Sequence, residues 1–340
     1  MRTSMNMAIV ALAGIGLAGN AAAQMLSLNA AGATFPAPIY QKWFDEYKKA
    51  HPNVQVNYQA NGSGGGISAM MQGTVDFAAS DPPLTDKQVA DMKVKPLHFP
   101  TVLGGVVLTY NLPGVTQELK FSPESIAGIY LGKIVKWNDQ AIAKDNPGVK
   151  LPNTDVLPVY RADGSGTTYI FTDYLSQISP DWMKGPGKST SVKFPAGTGQ
   201  NKSDGVAGMV KQSPGAIGYV ELIYALQNKM AFGAVKNASG VYLKPTLESV
   251  TAAAAGKAKA METDLRVSIV NAAGKDAYPI SAFTYLLIPS KIDDPKKKAA
   301  IVDFLKWMVG DGQKDCAALS YAPIPAAVAK VELKQIGQIQ

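Results

Sequence analysis

Two stretches of the chain, Val102–Tyr110 and Ile280–Ile288, are long, almost continuously apolar and rich in β-branched and aromatic residues. A run of that kind reads as a strand buried on both faces, so each belongs inside a sheet rather than at its edge. The segment between them, residues 111–279, has strand and helix patterns of its own. The most economical arrangement inserts it as a second lobe. The first lobe then consists of residues 24–110 together with 280–340, and the two long strands become the crossovers between lobes. A chain of 340 residues suits two domains of about 100–200 residues each.

The remaining patterns specify the class. Leu26–Ala31, Val54–Tyr58 and Val75–Ala79 read as strands. Pro36–Ala50, with Ile39, Trp43 and Tyr47 on one stripe, and Ile67–Gln72 read as helices. In the middle segment, Val156–Tyr160 and Ala216–Val220 are strands, while Thr167–Gln177 and an alanine-rich stretch near Leu247–Ala260 are helices. Strands alternating with helices predict an α/β fold with a mostly parallel sheet. A cleft between two such lobes is a preferred place for a small ligand.

Residues 1–23 have the form of a secretory signal peptide. Arg2 is their one charged residue, an apolar run covers Met7–Ala18, and Ala21-Ala22-Ala23 supplies the small residues before a cut near Ala23. No later stretch is long and apolar enough to span a bilayer. Cys316 is the only cysteine, so no intrachain disulfide forms and none stands near the cut to carry a lipid. It reads as a small packed side chain. These features suit a protein free in a bacterial periplasm. The net charge of +7 has no basic stripe interleaved with aromatics, which argues against nucleic acid. The run Lys296-Lys297-Lys298 opens an amphipathic stretch and reads as its solvated face. The excess charge suits steering of a small anion.

Three segments share one design. Gly32-Ala33-Thr34-Phe35-Pro36, Asn61-Gly62-Ser63-Gly64-Gly65-Gly66 and Arg161-Ala162-Asp163-Gly164-Ser165-Gly166-Thr167 each join a strand to a helix. Each sets a Ser or Thr where it can cap the helix, beside small residues that let an anion approach the backbone. The first amides of a helix lack intrahelical acceptors and lie at the positive end of its dipole, which makes an oxyanion site. One such turn is ordinary, since a capping hydroxyl stabilises any helix by about 1 kcal/mol. Three at strand ends are more informative, because ligands of open α/β sheets sit beyond the carboxyl ends of strands. The third turn adds Arg161, whose guanidinium can make a forked contact with an oxyanion, and Asp163, placed to hold that guanidinium. A fourth segment, Asp76-Phe77-Ala78-Ala79-Ser80-Asp81-Pro82, ends a strand and brings Asp81 out at its carboxyl end.

With these segments the chain resembles the PstS family, the periplasmic phosphate-binding proteins of the high-affinity phosphate ABC transporter. The resemblance rests on Ala30–Pro38, Val75–Asp81, Phe99–Val107, Ile129–Ile134, Arg161–Thr167 and Pro214–Glu221, in order through most of the chain. It implies a type II periplasmic-binding-protein fold, with two α/β lobes joined by two crossover strands. It implies phosphate ligands at Thr34, Phe35, Ser63, Asp81, Arg161, Asp163, Ser165, Gly166 and Thr167, with Phe35 and Gly166 acting through their amides. Gly64 stands where the family pattern often has a second serine. The resemblance further implies a monomer that hands phosphate to a membrane permease, with no cofactor, no metal and no catalysis. Asp81 gains a purpose in that setting. Phosphate near neutral pH carries a proton that needs an acceptor, whereas fully ionised sulfate would set oxygen against the carboxylate.

Two other readings use the same residues. An exported phosphatase would need catalytic groups, but His51 and His98 stand in ordinary structural settings and there is no H-E-x-x-H. Ser63 and Ser165 lack the first glycine of G-x-S-x-G, since Asn61 and Asp163 stand there. A binding protein for another oxyanion is the second alternative, and Asp81 argues against an anion without a proton.

Overall fold

The computed structural model describes residues 25–340, so the expected signal peptide lies outside the described residues. The chain begins as strand–helix units: β1 (Leu26–Gly32), α1 (Ala37–Ala50), β2 (Val54–Ala60), α2 (Ser63–Gln72), β3 (Phe77–Ser80) and β4 (Pro96–Tyr110). α1 follows from its pattern, since Ile39, Tyr40, Trp43, Phe44 and Tyr47 recur at helical spacing and are all buried. The middle of the chain supplies β5 (Leu157–Arg161), α3 (Gly166–Ile178), β6 (Thr198–Gln200), α4 (Lys202–Gln212), β7 (Ala216–Glu221) and α5 (Leu247–Ala255). β8 (Ser281–Pro289), α6 (Pro295–Val309) and α7 (Ala326–Ile336) complete the fold. The three lysines expected on a solvated face lie in the first turn of α6, whose Ile301, Phe304, Leu305 and Met308 are buried.

One ten-stranded sheet runs through the described residues in the order β2-β1-β3-β8-β4-β7-β5-β6, with the short strands Ala231–Phe232 and Ala322–Pro323 laid along β4. The mostly parallel sheet expected from the alternation is found only at its two ends. β1 pairs parallel with β2 and β3, and β5 pairs parallel with β6 and β7. The centre is antiparallel: β8 against β3 and β4, and β4 against β7. The reason is connectivity, because the chain leaves one parallel set along β4 and returns along β8. Pro96–Gly105 of β4 faces β8, whereas Val106–Tyr110 faces β7, so one strand serves both lobes. Nearly every β4 residue is buried, as its apolar run requires.

One detail differs from the sequence reading. α2 starts at Ser63, so the three glycines form its first turn rather than a loop before it. The alanine-rich helix α5 packs on β4, β8 and Ala322–Pro323, and the helical turn Ala258–Met261 packs on α7.

Pro100 interrupts the β4–β8 ladder. It has no N–H to give, and the register slips there: Thr284 faces Val102, Tyr285 faces Pro100, and Thr101 is the extra residue of a bulge. Tyr285 pairs with Ser80 at the end of β3. The bulge thus lies beside Asp81, the residue after Ser80.

Candidate functional site

β1, β2 and β3 run parallel, so their carboxyl ends open on one edge. Thr34 and Phe35 follow β1, Ser63 opens α2 after β2, and Asp81 follows β3. From the other lobe, Arg161 ends β5, and Asp163, Ser165, Gly166 and Thr167 line the turn into α3. All nine residues meet across one cleft, and all but the half-buried Asp163 are buried. Arg161 Nη1 donates to Thr34 Oγ1 at 3.0 Å. The Gly64 amide donates to the Gly164 carbonyl at 2.8 Å, so the amide at the missing second serine is engaged across the cleft. At Gly166 the walls come closest: a β-carbon there would lie 2.2 Å from Asp81 Oδ2 and 2.3 Å from Ser63 Oγ. Only glycine fits that position.

Of the three hydroxyls expected to cap helices, one does so. Ser165 accepts from the Thr168 amide at 3.1 Å. Ser63 instead accepts from the Asp81 amide at 3.1 Å, with its Oγ 3.5 Å from Asp81 Oδ2. Thr34 turns away from α1 to meet Arg161 and Ser203.

The backbone around Thr34 is fixed by three tyrosines. Tyr58, Tyr224 and Tyr321 donate to the successive carbonyls of Ala33, Thr34 and Phe35, each at 2.6 Å. With these carbonyls tied back, the Phe35 amide has no acceptor among the described residues. The Gly166 and Thr167 amides, at the start of α3, have none either. Thr167 Oγ1 is buried without a partner. A concave set of donors, from both lobes, is thereby left to a ligand.

The charges are arranged to be locally balanced. Asp163 grips Arg161 in a fork, Nε to Oδ1 at 2.6 Å and Nη2 to Oδ2 at 2.5 Å, and Oδ1 also accepts from the Lys202 amide at 3.0 Å. Burial pushes the Asp163 carboxyl up, but the bonds and charge of Arg161 and the Lys202 amide outweigh it and hold it below the ordinary range. Both its oxygens are committed, so it orients Arg161 rather than facing the cleft. Asp81 is the opposite case. Burial pushes its carboxyl up to about 7, against the hydrogen bond from Thr284, the charge of Arg161 and the hydrogen bond from Ser63. Thr284 Oγ1 donates to Oδ1 at 2.8 Å, which leaves Oδ2 beside Ser63 and Gly166 as the one acceptor at the site. A carboxyl that ionises near neutral pH among unpaired donors can take a proton from a ligand or share one with it.

Ser203, Thr284 and the three tyrosines were not among the residues singled out from the sequence. Ser203 did carry a signal of the same kind, a hydroxyl in the first turn of a helix after a strand. The tyrosines and Thr284 carried none, because their partners lie far away in the chain. The histidines weighed for hydrolysis lie elsewhere. His98 accepts from the Leu84 amide at 3.0 Å, and burial first, then the Arg266 charge, lowers it to about 4. His51 stacks on Tyr47. Cys316 is buried, which pushes its thiol up to about 12. Among the described residues no helix is long and apolar enough to cross a membrane.

Comparison with known proteins gives concordant results. The family model of the PBP superfamily domain matches residues 18–312. The phosphate-binding protein PstS of Xylella fastidiosa (strain Temecula1) is 42% identical over 306 residues, covering 90% of this chain and 83% of that protein. The phosphate-binding protein PstS of Haemophilus influenzae is 40% identical over 321 residues, covering 92% and 95%. A crystal structure of a phosphate-binding protein from Stenotrophomonas maltophilia, 20% identical, superposes with a TM-score of 0.69 over 91% of this chain and 93% of that one. The last likeness establishes the two-lobed fold.

Proposed function

We propose that this protein captures inorganic phosphate between its lobes and delivers it to an ABC-type importer, from the premise that the chain belongs to the PstS family of phosphate-binding proteins. The observation that carries the reading is a single buried acceptor, Asp81 Oδ2, set among donors that have no protein partner. In this reading the amides of Phe35, Gly166 and Thr167, the hydroxyls of Thr34, Ser63, Ser165 and Thr167, and Arg161 donate to phosphate oxygens. Asp81 accepts the phosphate proton, and Asp163 holds Arg161. Because Asp163 offsets the charge of Arg161, the anion is held by hydrogen bonds and dipoles more than by net charge. A fully ionised oxyanion would face Asp81 with nothing to donate, at a cost of about 1–3 kcal/mol or more.

The same reading assigns the protein to the periplasm, as a monomeric binding protein with no reaction of its own. The first lobe holds residues 24–110 and the chain from α5 onward, and the second lobe runs from residue 111 to the segment before α5. Calorimetry on protein freed of phosphate tests the core of it. Phosphate is expected to bind at least about 100-fold tighter than sulfate, the equivalent of about 3 kcal/mol. Sulfate affinity within tenfold of phosphate would overturn the assignment of Asp81.

A further inference from the structure

Ser203 lies outside every segment that carries the family resemblance, yet it is buried against the heart of the site. Its Oγ is 2.9 Å from Thr34 Oγ1 and accepts from Arg161 Nη1 at 3.3 Å. Thr34 Oγ1 accepts from the same Nη1 at 3.0 Å. The three groups form a closed triangle that spans the two lobes. Its third corner is held in place by α4. Lys202, the first residue of α4, sits at φ +61°, a conformation disfavoured for a residue with a β-carbon. In that conformation its amide reaches Asp163 Oδ1, and the next residue brings its hydroxyl against Arg161. Backbone strain kept at one residue beside a binding site indicates that the geometry it sets has a use.

The hydrogen count in the triangle gives that use. Arg161 has five N–H groups: the one on Nε and one of the two on Nη2 reach Asp163, the two on Nη1 reach Thr34 and Ser203, and the second on Nη2 has no acceptor among the described residues. A hydroxyl has one hydrogen and two lone pairs. Ser203 Oγ has no acceptor other than Thr34 Oγ1 among the described residues. We propose that Ser203 is a specificity-determining positioning residue: it donates to Thr34 Oγ1, which then accepts from both Ser203 and Arg161 and can only donate to the anion. Thr34 is thereby kept as a donor to an unprotonated phosphate oxygen, and the phosphate proton is sent to Asp81. Without Ser203, Thr34 regains a lone pair and can accept from a protonated oxygen instead.

This inference rests on phosphate being the ligand, and the experiment separates the two. Phosphate affinity is measured by calorimetry for wild type, Ser203→Ala, Thr34→Ala and the double variant, at about pH 6 and about pH 8.5, with melting temperatures recorded alongside. Ser203→Ala is expected to weaken binding about 5–10-fold at alkaline pH and less than about threefold at acid pH, where more phosphate is doubly protonated. In the Thr34→Ala background it is expected to add no more than about twofold, because it acts through Thr34. A loss equal at both pH values marks a purely structural role and overturns the inference, as does a loss that persists undiminished in the Thr34→Ala background or no loss at all. A wild type that takes up no phosphate overturns the proposed function itself.

Discussion

Asp81→Asn tests whether a carboxyl is buried at the cleft before any ligand arrives. Burial lifts this group from 3.8 to about 7 in the folded protein. Between those values the folded state holds a proton that the unfolded chain has released. The contribution of Asp81 to stability is therefore present in full below about pH 3.8 and is lost as pH rises through about 7. At about 1.4 kcal/mol per pKa unit the whole loss is about 4 kcal/mol, of which about 2–3 kcal/mol falls between about pH 5 and about pH 8. The variant keeps the shape and an acceptor for Thr284 Oγ1 but does not titrate. Urea unfolding of both phosphate-free proteins across that range gives the difference directly. Burial also raises Glu332, which is common to both proteins and cancels; Glu221 is raised mainly by burial, and the last and smallest of its causes, the Asp81 charge, is lost in the variant. The variant is expected to gain about 2–3 kcal/mol on wild type from the acid to the alkaline end. A difference flat to within about 0.5 kcal/mol refutes the reasoning, because the carboxylate would then be ionised in water in the free protein.

Two further substitutions test the walls of the cleft. Gly166→Ala places a methyl 2.2 Å from Asp81 Oδ2, so it is expected to hold the lobes apart and weaken phosphate binding at least about 100-fold, about 3 kcal/mol; small-angle scattering that still shows compaction on adding phosphate would count against that contact. Asp163→Asn removes a negative charge from beside the anion, which simple electrostatics would score as a gain. Because both Asp163 oxygens hold Arg161, the expected result is a loss of about tenfold or more, and tighter binding would refute the orienting role.

The sequence showed the site more clearly than the way its parts meet. Glycine and hydroxyl residues at strand ends, with Asp81 and Arg161, were readable because each has a local backbone meaning. The direction in which a hydroxyl turns has no such local signature. Ser63 and Thr34 could each have capped their own helix, and whether they do depends on what stands across the cleft. The start of α2 was misplaced for a related reason. Glycine disfavours a helix by about 1 kcal/mol relative to alanine, so three in a row read as loop. In the fold, a β-carbon at Gly66 would lie 2.6 Å from the Ala31 carbonyl oxygen and from the Gly32 α-carbon. The helix lies so close on β1 that Gly66 is required by packing, while Gly64 is hemmed in by Gly164 of the other wall. The pattern of α5 fixes a helix and a buried face but not which sheet covers that face.

The distribution of the donors between lobes bears on how a tightly held anion is let go. Thr34, Phe35, Ser63 and Asp81 belong to one wall; Arg161, Ser165, Gly166 and Thr167 belong to the other. The charged donor, Arg161, and the acceptor expected to meet the phosphate proton, Asp81, are therefore on opposite sides. Moving the lobes apart by a few ångströms takes the guanidinium away from the anion while Asp81 stays beside it. The half-site that remains has lost its cation and kept a carboxylate, so it repels a dianion that the closed site had held. In the proposed role, an importer that binds the open form more tightly than the closed one shifts the population by that difference in affinity alone. Release then needs no competing ligand and no change of pH, because opening itself removes the donors of the second wall and leaves the phosphate beside a carboxylate.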